Sequence, residues 1–286
     1  FTPAGGAGSY VVRWTISNLP CTASTANATI TVTGAPTIAT NSSTQTICAT
    51  ATATLSGNAP TVGTGAWSVV SGPSTLLSQF SSLTNPAAVF TPAGGVGSYV
   101  VRWTISNSPC TASTANATIT VTGAPTTATN SSTQTICSTA TATLSGNAPT
   151  VGTGAWSVVS GPSTLASQFS SLTNPTAVFT PAGGVGSYVV RWTISNSPCT
   201  ASTANATITV GTGTVGGAVT GGSSICSGSS SGLLTLSGHI GSVIRWESSV
   251  SPFSSWSPIT NTSTTYTSGV LTQDTQFRAV VQSGSC

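Results

Sequence analysis

The sequence predicts an all-β fold made of tandem β-sandwich domains. Three observations support this prediction. One block of sequence recurs every 89 residues, and within it apolar and polar residues alternate with a period of two. The chain also holds 31 glycines and 16 prolines in 286 residues, which interrupt it too often for α-helices of ordinary length.

The repeat predicts the division into domains. The motif FTPAGG begins at Phe1, Phe90 and Phe179, and residues 34–122 differ from residues 123–211 at only five positions. A unit of this length matches an independent sandwich domain of about 100 residues better than a solenoid repeat. We therefore expect four parts: 1–33 as the last two strands of a repeat, 34–122 and 123–211 as complete repeats, and 212–286 as a diverged repeat that lacks its last strand.

The alternating segments predict which side chains form the core. In residues 98–106 one face carries only apolar residues, namely Tyr99, Val101, Trp103 and Ile105. Residues 51–56 and 117–122 alternate in the same way, which predicts the inward residues Ala51, Ala53, Leu55, Ala117, Ile119 and Val121. In the diverged repeat the same strand position predicts the inward residues Phe277, Ala279 and Val281.

The scarcity of charge argues against catalysis and against metal or cofactor binding. Charged residues make up 2% of the chain, against about 25% in an ordinary domain. The acidic residues are Glu247 and Asp274, and the one histidine is His239. Calcium needs clustered carboxylates and zinc needs clustered cysteine or histidine, so we expect no metal and no cofactor. We expect Glu247 to pair with Arg245 on a strand face, Asp274 to lie in a turn, and the protein not to be an enzyme.

The same composition excludes two classes of partner. The five arginines are spread along the chain instead of clustering on one face, so we expect no nucleic-acid binding. No stretch approaches the roughly 18 consecutive apolar residues of a spanning helix, so we expect no membrane insertion in this segment.

The order of motifs resembles a known group of bacterial repeats. TQTIC, TATLSG, GAWSVVSG, FTPAGG, YVVRWTISNSPC and TANATITV follow one another as in the Ig-like or PKD-like repeats of giant bacterial surface adhesins and gliding-motility proteins exported by type IX secretion. The segment GGSSICSGSSSGLLTLSG with TQFRAVVQSGSC resembles a second repeat type of those proteins. The resemblance implies Ig-like sandwiches of about seven strands, exposure at the cell surface or secretion, and an adhesive or filamentous role. Its expected partners are neighbouring repeats of the same or identical chains.

The cysteines are the strongest chemical signal. Seven are present, two per complete repeat, with no CxxC spacing, and in an exported protein they indicate disulfides: Cys21, Cys48, Cys110, Cys137, Cys199, Cys226 and Cys286. An intradomain scheme pairs Cys48–Cys110, Cys137–Cys199 and Cys226–Cys286. An interdomain scheme pairs Cys48–Cys199 and Cys137–Cys286, because Ig-like topology puts Cys48 and Cys110 at opposite ends of one sandwich, roughly 26 Å apart. Both schemes remain open at this point.

Two functions fit these features. The first is a structural stalk or filament region of a surface adhesin, since near-identical copies suit a spacer. The second is a glycan-binding module for surface glycans. Trp67, Trp103, Trp156 and Trp192 are expected in the core, whereas Trp256, within SPFSSWSP, is the candidate ligand contact.

Overall fold

The computed structural model describes residues 1–284 and Cys286, and this part of the chain is all-β, as predicted. Its only helical segments are two short 3-10 turns, Leu77–Gln79 and Ala166–Gln168. The strands are β1 Gly8–Ile16, β2 Ser24–Val32, β3 Gln45–Cys48, β4 Ala53–Thr54, β5 Thr64–Ser71, β6 Val89–Phe90, β7 Gly97–Asn107, β8 Cys110–Thr122, β9 Gln134–Cys137, β10 Ala142–Thr143, β11 Thr153–Ser160, β12 Val178–Phe179, β13 Gly186–Asn196, β14 Cys199–Gly211, β15 Ala218–Thr220, β16 Leu233–Ser237, β17 Ser242–Val250, β18 Ser257–Ile259, β19 Thr265–Thr267 and β20 Thr275–Gln282.

None of these described helical turns is long or apolar enough to span a membrane.

Strands β3 to β8 form an Ig-like sandwich. One sheet has the order β5-β7-β8-β3, with β3 parallel to β8, and the short pair β4-β6 forms the other. The two layers enclose a single hydrophobic cluster. The inward residues predicted on β7 and β8 are buried, with Tyr99, Val101, Trp103 and Ile105 each 0% exposed. Ala51, which was predicted to point inward, is instead exposed. The strand comprises only Ala53–Thr54, and a turn precedes it.

Within the described residues this sandwich has six strands, and an isolated bridge joins Asn41 to Gly57. The Asn41 side chain connects this part of the chain to the sheet that contains β7 and β8. Its Nδ2 donates to the carbonyls of Val101 (3.2 Å) and Ala115 (3.4 Å), and its Oδ1 accepts from the Ser43 hydroxyl at 2.6 Å. An amide side chain therefore fastens the start of the repeat to the sheet.

Strands β9 to β14 repeat this arrangement, because the two sequences are nearly identical. The sheet order is β11-β13-β14-β9, with β10-β12 as the second layer and a separate hydrophobic cluster between them. Trp156 and Trp192 are 3% and 0% exposed, and Asn130 makes the hydrogen bonds that Asn41 makes in the first sandwich.

Strands β15 to β20 form a third two-layered arrangement with a smaller core. Its sheets have the orders β15-β16-β19 and β18-β17-β20. Leu234, Leu236, Val243 and Trp246 are buried at its centre. The inward residues predicted on β20, which are Phe277, Ala279 and Val281, pack against this cluster but are only partly buried.

Among the described strands, β1 and β2 pair only with each other, and they leave apolar side chains exposed. Trp14 is 70% exposed and Val11 is 64% exposed. Trp103, which occupies the repeat position of Trp14, is fully buried in the first sandwich. The same strand sequence thus has an exposed apolar face in the β1–β2 pair and a buried apolar face in the first sandwich.

The chain divides into two compact units. The first comprises Phe1–Pro125 together with Asn196–Ala201, and the second comprises Thr126–Ser195 together with Ser202–Cys286. The short segment Asn196–Ala201, which belongs to the first unit, comprises the end of β13, the turn and the start of β14.

Candidate functional site

The cysteines form two long-range disulfides. Cys48 bonds Cys199, with Cα atoms 4.9 Å apart, and Cys137 bonds Cys286, with Cα atoms 5.6 Å apart. Both separations lie in the ordinary range for disulfides. The partners are 151 and 149 residues apart in sequence, and each bond lies within one compact unit.

The first disulfide is positioned by the end of β3 and the start of β14. Cys48 ends β3 and is in register with Thr122 on β8. The Cys199 sulfur lies 3.7 Å from the Thr122 hydroxyl and 3.3 Å from the Gly123 carbonyl. Asn196, in the same turn, donates its side-chain N–H to the Gly123 carbonyl at 2.7 Å. The Asn196 hydrogen bond and the contacts of the Cys199 sulfur at the end of β8 therefore hold Cys199 beside Cys48.

The second disulfide has the same location in its own unit. Cys137 ends β9 in register with Gly211 of β14. The Cys286 carbonyl accepts a hydrogen bond from the Thr214 hydroxyl at 2.6 Å, and the Cys286 amide donates to Ser283 at 2.8 Å. Hydrogen bonds from the Thr214 hydroxyl and to the Ser283 carbonyl thus fix the position of Cys286 beside the end of β9.

The intradomain scheme is wrong for this structure, and strand length gives the reason. Cys110 begins β8, whereas Cys48 pairs in register with Thr122 at the other end of that strand. Twelve residues of strand span about 40 Å, and a disulfide needs Cα atoms within about 7 Å. Cys48–Cys110 and, for the same reason, Cys137–Cys199 are therefore out of reach. Cys226–Cys286 is not formed because Cys286 bonds Cys137.

Three cysteines carry free thiols, namely Cys21, Cys110 and Cys226. Cys21 and Cys226 are exposed, and Cys110 is partly buried. The Cys110 sulfur lies 3.3 Å from the Thr33 carbonyl and 3.4 Å from the Gly34 carbonyl. The Cys199 sulfur has equivalent carbonyl contacts one repeat later, 3.6 Å from Thr122 and 3.3 Å from Gly123, but Cys199 is disulfide-bonded.

An ion cluster on β17 and β20 is the main electrostatic feature of the third arrangement. Glu247 is buried, and its two carboxylate oxygens accept from Arg245 (2.7 Å) and from Arg278 (2.6 Å). These hydrogen bonds, from Arg245 and then from Arg278, hold the pKa of the Glu247 carboxyl below its ordinary value. The predicted Glu247–Arg245 pair is present. Arg278 also pairs with Glu247, which was not predicted, because the strand register places the two residues opposite each other.

Trp256 lies at the edge of this ion cluster. Its ring is half-buried, and the Arg278 guanidinium lies 4.1 Å from the ring centroid, which is cation–π geometry. The arginines of the complete repeats behave differently. Arg102 and Arg191 donate to the side chains of Asn116 and Asn205 at 2.8 and 2.9 Å.

The described residues contain no group of three or more histidine, cysteine or acidic side chains that could hold a metal ion. His239, the one histidine, and Asp274, the second acidic residue, lie in different environments. The Nδ1 atom of His239 is buried without a hydrogen-bond partner, and Asp274 precedes β20, where its carbonyl accepts from the Ser251 amide at 3.0 Å. Among the described residues, the strongest chemical feature is therefore the pair of disulfides.

Comparison with known proteins gives one family and a set of structural likenesses. A family described as a domain of unknown function, DUF8696, matches residues 215–286. No curated protein matches the chain.

Three solved structures illustrate the structural likenesses. A three-domain fragment of titin is 16% identical, covering 73% of this chain and 76% of that chain, with a TM-score of 0.45. Sidekick-1 immunoglobulin domains 1–4 are 15% identical, covering 73% of this chain and 59% of that chain, with a TM-score of 0.38. A Ca2+-stabilized adhesin that helps an Antarctic bacterium bind ice is 14% identical, covering 96% of this chain and 73% of that chain, with a TM-score of 0.35.

Proposed function

We propose that the chain is the structural repeat region of an extracellular bacterial surface adhesin or fibre, and that it is not catalytic. Its role would be to separate other parts of the protein from the cell as a stalk or filament. The proposed division is 1–33, 34–122, 123–211 and 212–286, with each complete repeat built as one sandwich.

The observation that carries the proposal is the pair of disulfides. Cys48 and Cys137 occupy the same position in successive repeats, and each bonds a cysteine about 150 residues downstream. Each of these bonds therefore joins one proposed repeat to the next. Disulfides persist in oxidising compartments, which supports an extracellular location. A covalent link from repeat to repeat suits a mechanical element better than independent binding modules.

The surface of the repeats also fits a spacer. The two complete repeats differ at five positions, and neither contains an acidic residue or a histidine. A ligand site would need polar groups that converge on a pocket. The exposed strand residues are mainly threonine and serine, which solvate the sheet without offering charge.

Antibody labelling of intact producing cells tests this location and role. We expect gold-labelled antibody against the purified chain to decorate the surface, or fibres leaving it, without permeabilisation. An antibody to a cytoplasmic protein is the matched control and should label only permeabilised cells. Labelling of the chain that requires permeabilisation would contradict the proposal.

Export by type IX secretion and a part in gliding motility are the finer part of the proposal, and they rest on the motif resemblance. Inactivating that secretion system should remove the chain from the surface and retain it inside the cell envelope. Deleting the gene should reduce the speed of cells on agar. Unchanged surface labelling in the secretion mutant would contradict this export route.

A glycan-binding module is the second candidate, and the half-exposed ring of Trp256 favours it. Arg278 weighs against it, since it lies over the ring that a sugar would need for stacking. A glycan array distinguishes the two candidates. Saturable binding that is lost in Trp256→Ala, but kept in a control variant at the exposed Val270, would support glycan binding.

A further inference from the structure

The two disulfides interlock along the sequence. Cys137 lies inside the loop that Cys48–Cys199 closes, whereas its partner Cys286 lies outside that loop. Separate intradomain bonds would instead close loops that follow one another along the chain. The interlocked order has a mechanical consequence that does not depend on how the units are oriented.

The four bonded cysteines divide the chain into three segments. The segments run 89 residues from Cys48 to Cys137, 62 from Cys137 to Cys199 and 87 from Cys199 to Cys286. One disulfide joins Cys48 to Cys199, and the other joins Cys137 to Cys286. Each segment therefore begins at one disulfide and ends at the other, so the three segments connect the same two junctions in parallel.

A parallel connection is limited by its shortest member. Tension applied between Cys48 and Cys286 can separate the two junctions by no more than the 62-residue segment allows. At about 3.5 Å per extended residue this is about 220 Å, whereas the unbridged chain between the same residues would reach about 830 Å. The longer segments, 49–136 and 200–285, remain slack at this limit.

The load also enters the second sandwich along a strand axis. Cys199 begins β14, and Cys137 ends β9 in register with Gly211 at the far end of β14. Force arriving at Cys199 therefore passes along β14 and reaches Cys137 through the parallel β9–β14 ladder. This direction shears the ladder, so its hydrogen bonds are loaded together and not one after another.

We propose that this chain is a load-bearing tether whose interlocked disulfides set a covalent limit on its extension. The proposal deepens the stalk function and rests on it for its biological meaning. Under high tension only the middle segment would become taut, while the chain on either side would keep the slack that a folded core needs.

Single-molecule force spectroscopy on the full chain, held by peptide tags at its two ends, tests the limit. In oxidised protein we expect a final extension of about 390 Å, from the 47 residues up to Cys48, the 62-residue segment and two bridges. With reductant we expect about 1,000 Å. An oxidised chain that extends to about 1,000 Å would overturn the proposal.

Single variants identify the interlocked order. Cys48→Ser and Cys137→Ser should each lengthen the limit by only about 80–90 Å, because the remaining bond still bypasses most of the chain. The double variant should reach the full 1,000 Å. Cys226→Ser is the matched control and should leave the parent value unchanged. A gain of about 200 Å in Cys226→Ser, or in each single variant, would indicate separate intradomain loops and overturn the proposal.

The outcome is independent of the location of the protein. A covalent limit measured on a protein that antibodies never find at the cell surface would sustain the mechanics and reject the stalk. Surface labelling together with an extension limit of about 1,000 Å for the oxidised chain would support the stalk function and reject the mechanical proposal.

Discussion

Replacing Gly65 with alanine tests the packing of the first sandwich. A Cβ atom added at Gly65 would lie 2.1 Å from Cζ2 of Trp103, where carbon atoms ordinarily stay 3.5–4.0 Å apart. Trp103 is fully buried, its indole N–H donates to the Asn58 carbonyl at 3.0 Å, and its ring centroid lies 4.7 Å from that of Trp67. The ring therefore has no free direction in which to move.

The expected cost follows from these contacts. Overpacking a core typically costs about 1–3 kcal/mol, and losing the indole hydrogen bond would add about 1 kcal/mol. We expect Gly65→Ala to lower the free energy of unfolding of this sandwich by about 2–4 kcal/mol. Urea unfolding followed by tryptophan fluorescence, with the disulfides intact, should show a midpoint lower by about 1–3 M.

Two glycines provide matched controls. Gly154→Ala should reproduce the loss, because its Cβ would lie 2.1 Å from Trp192. Gly216→Ala has no atom within 4 Å and should leave stability unchanged or raise it by about 0.4–1 kcal/mol. A loss below about 0.5 kcal/mol in Gly65→Ala would refute the packing described for Trp103.

Three further predictions concern charge, hydrogen bonding and thiols. The pKa of Glu247 is lower in the folded protein than its ordinary value of 4.5, so the ionised carboxylate stabilises the fold above pH 4.5. This stabilisation is lost as the pH falls through the folded pKa. The free energy of unfolding, measured against pH, should show this loss in the parent protein and not in Glu247→Gln. Asn41→Ala should cost about 1–3 kcal/mol in urea unfolding, since two backbone carbonyls lose their donor, whereas a change at the exposed Thr52 should cost little. Alkylation of the unfolded, unreduced protein should add three groups by mass, and alkylation after reduction should add seven, with the first three at Cys21, Cys110 and Cys226.

The core could be predicted because its signal is local. Alternation along one strand identifies Tyr99, Val101, Trp103 and Ile105 without knowledge of the partner strands. The same reasoning failed at Ala51, because the alternation in the sequence starts before the strand begins at Ala53. It also could not anticipate the role of Asn41, whose side chain bonds backbone carbonyls that lie 60 and 74 residues away in sequence.

The candidate site depends on how strands pair with one another, and the sequence of a single strand does not specify this pairing. Arg278 bonds Glu247 only because β17 and β20 pair in that register, and the two residues are 31 positions apart in sequence. The disulfide partners likewise depend on which end of β8 meets Cys48. Cysteine spacing alone allows both pairing schemes, and the parallel β3–β8 register is what separates them.

The disulfide pairing is tested most directly by a digest of the unreduced protein. After free thiols are blocked, trypsin cuts behind the five arginines and leaves all cysteines on four peptides: 14–102, 103–191, 192–245 and 279–286. The interlocked pairing predicts two separate disulfide-linked pairs by mass spectrometry, 14–102 with 192–245 and 103–191 with 279–286. A single assembly containing all four peptides would indicate intradomain bonds and contradict the account.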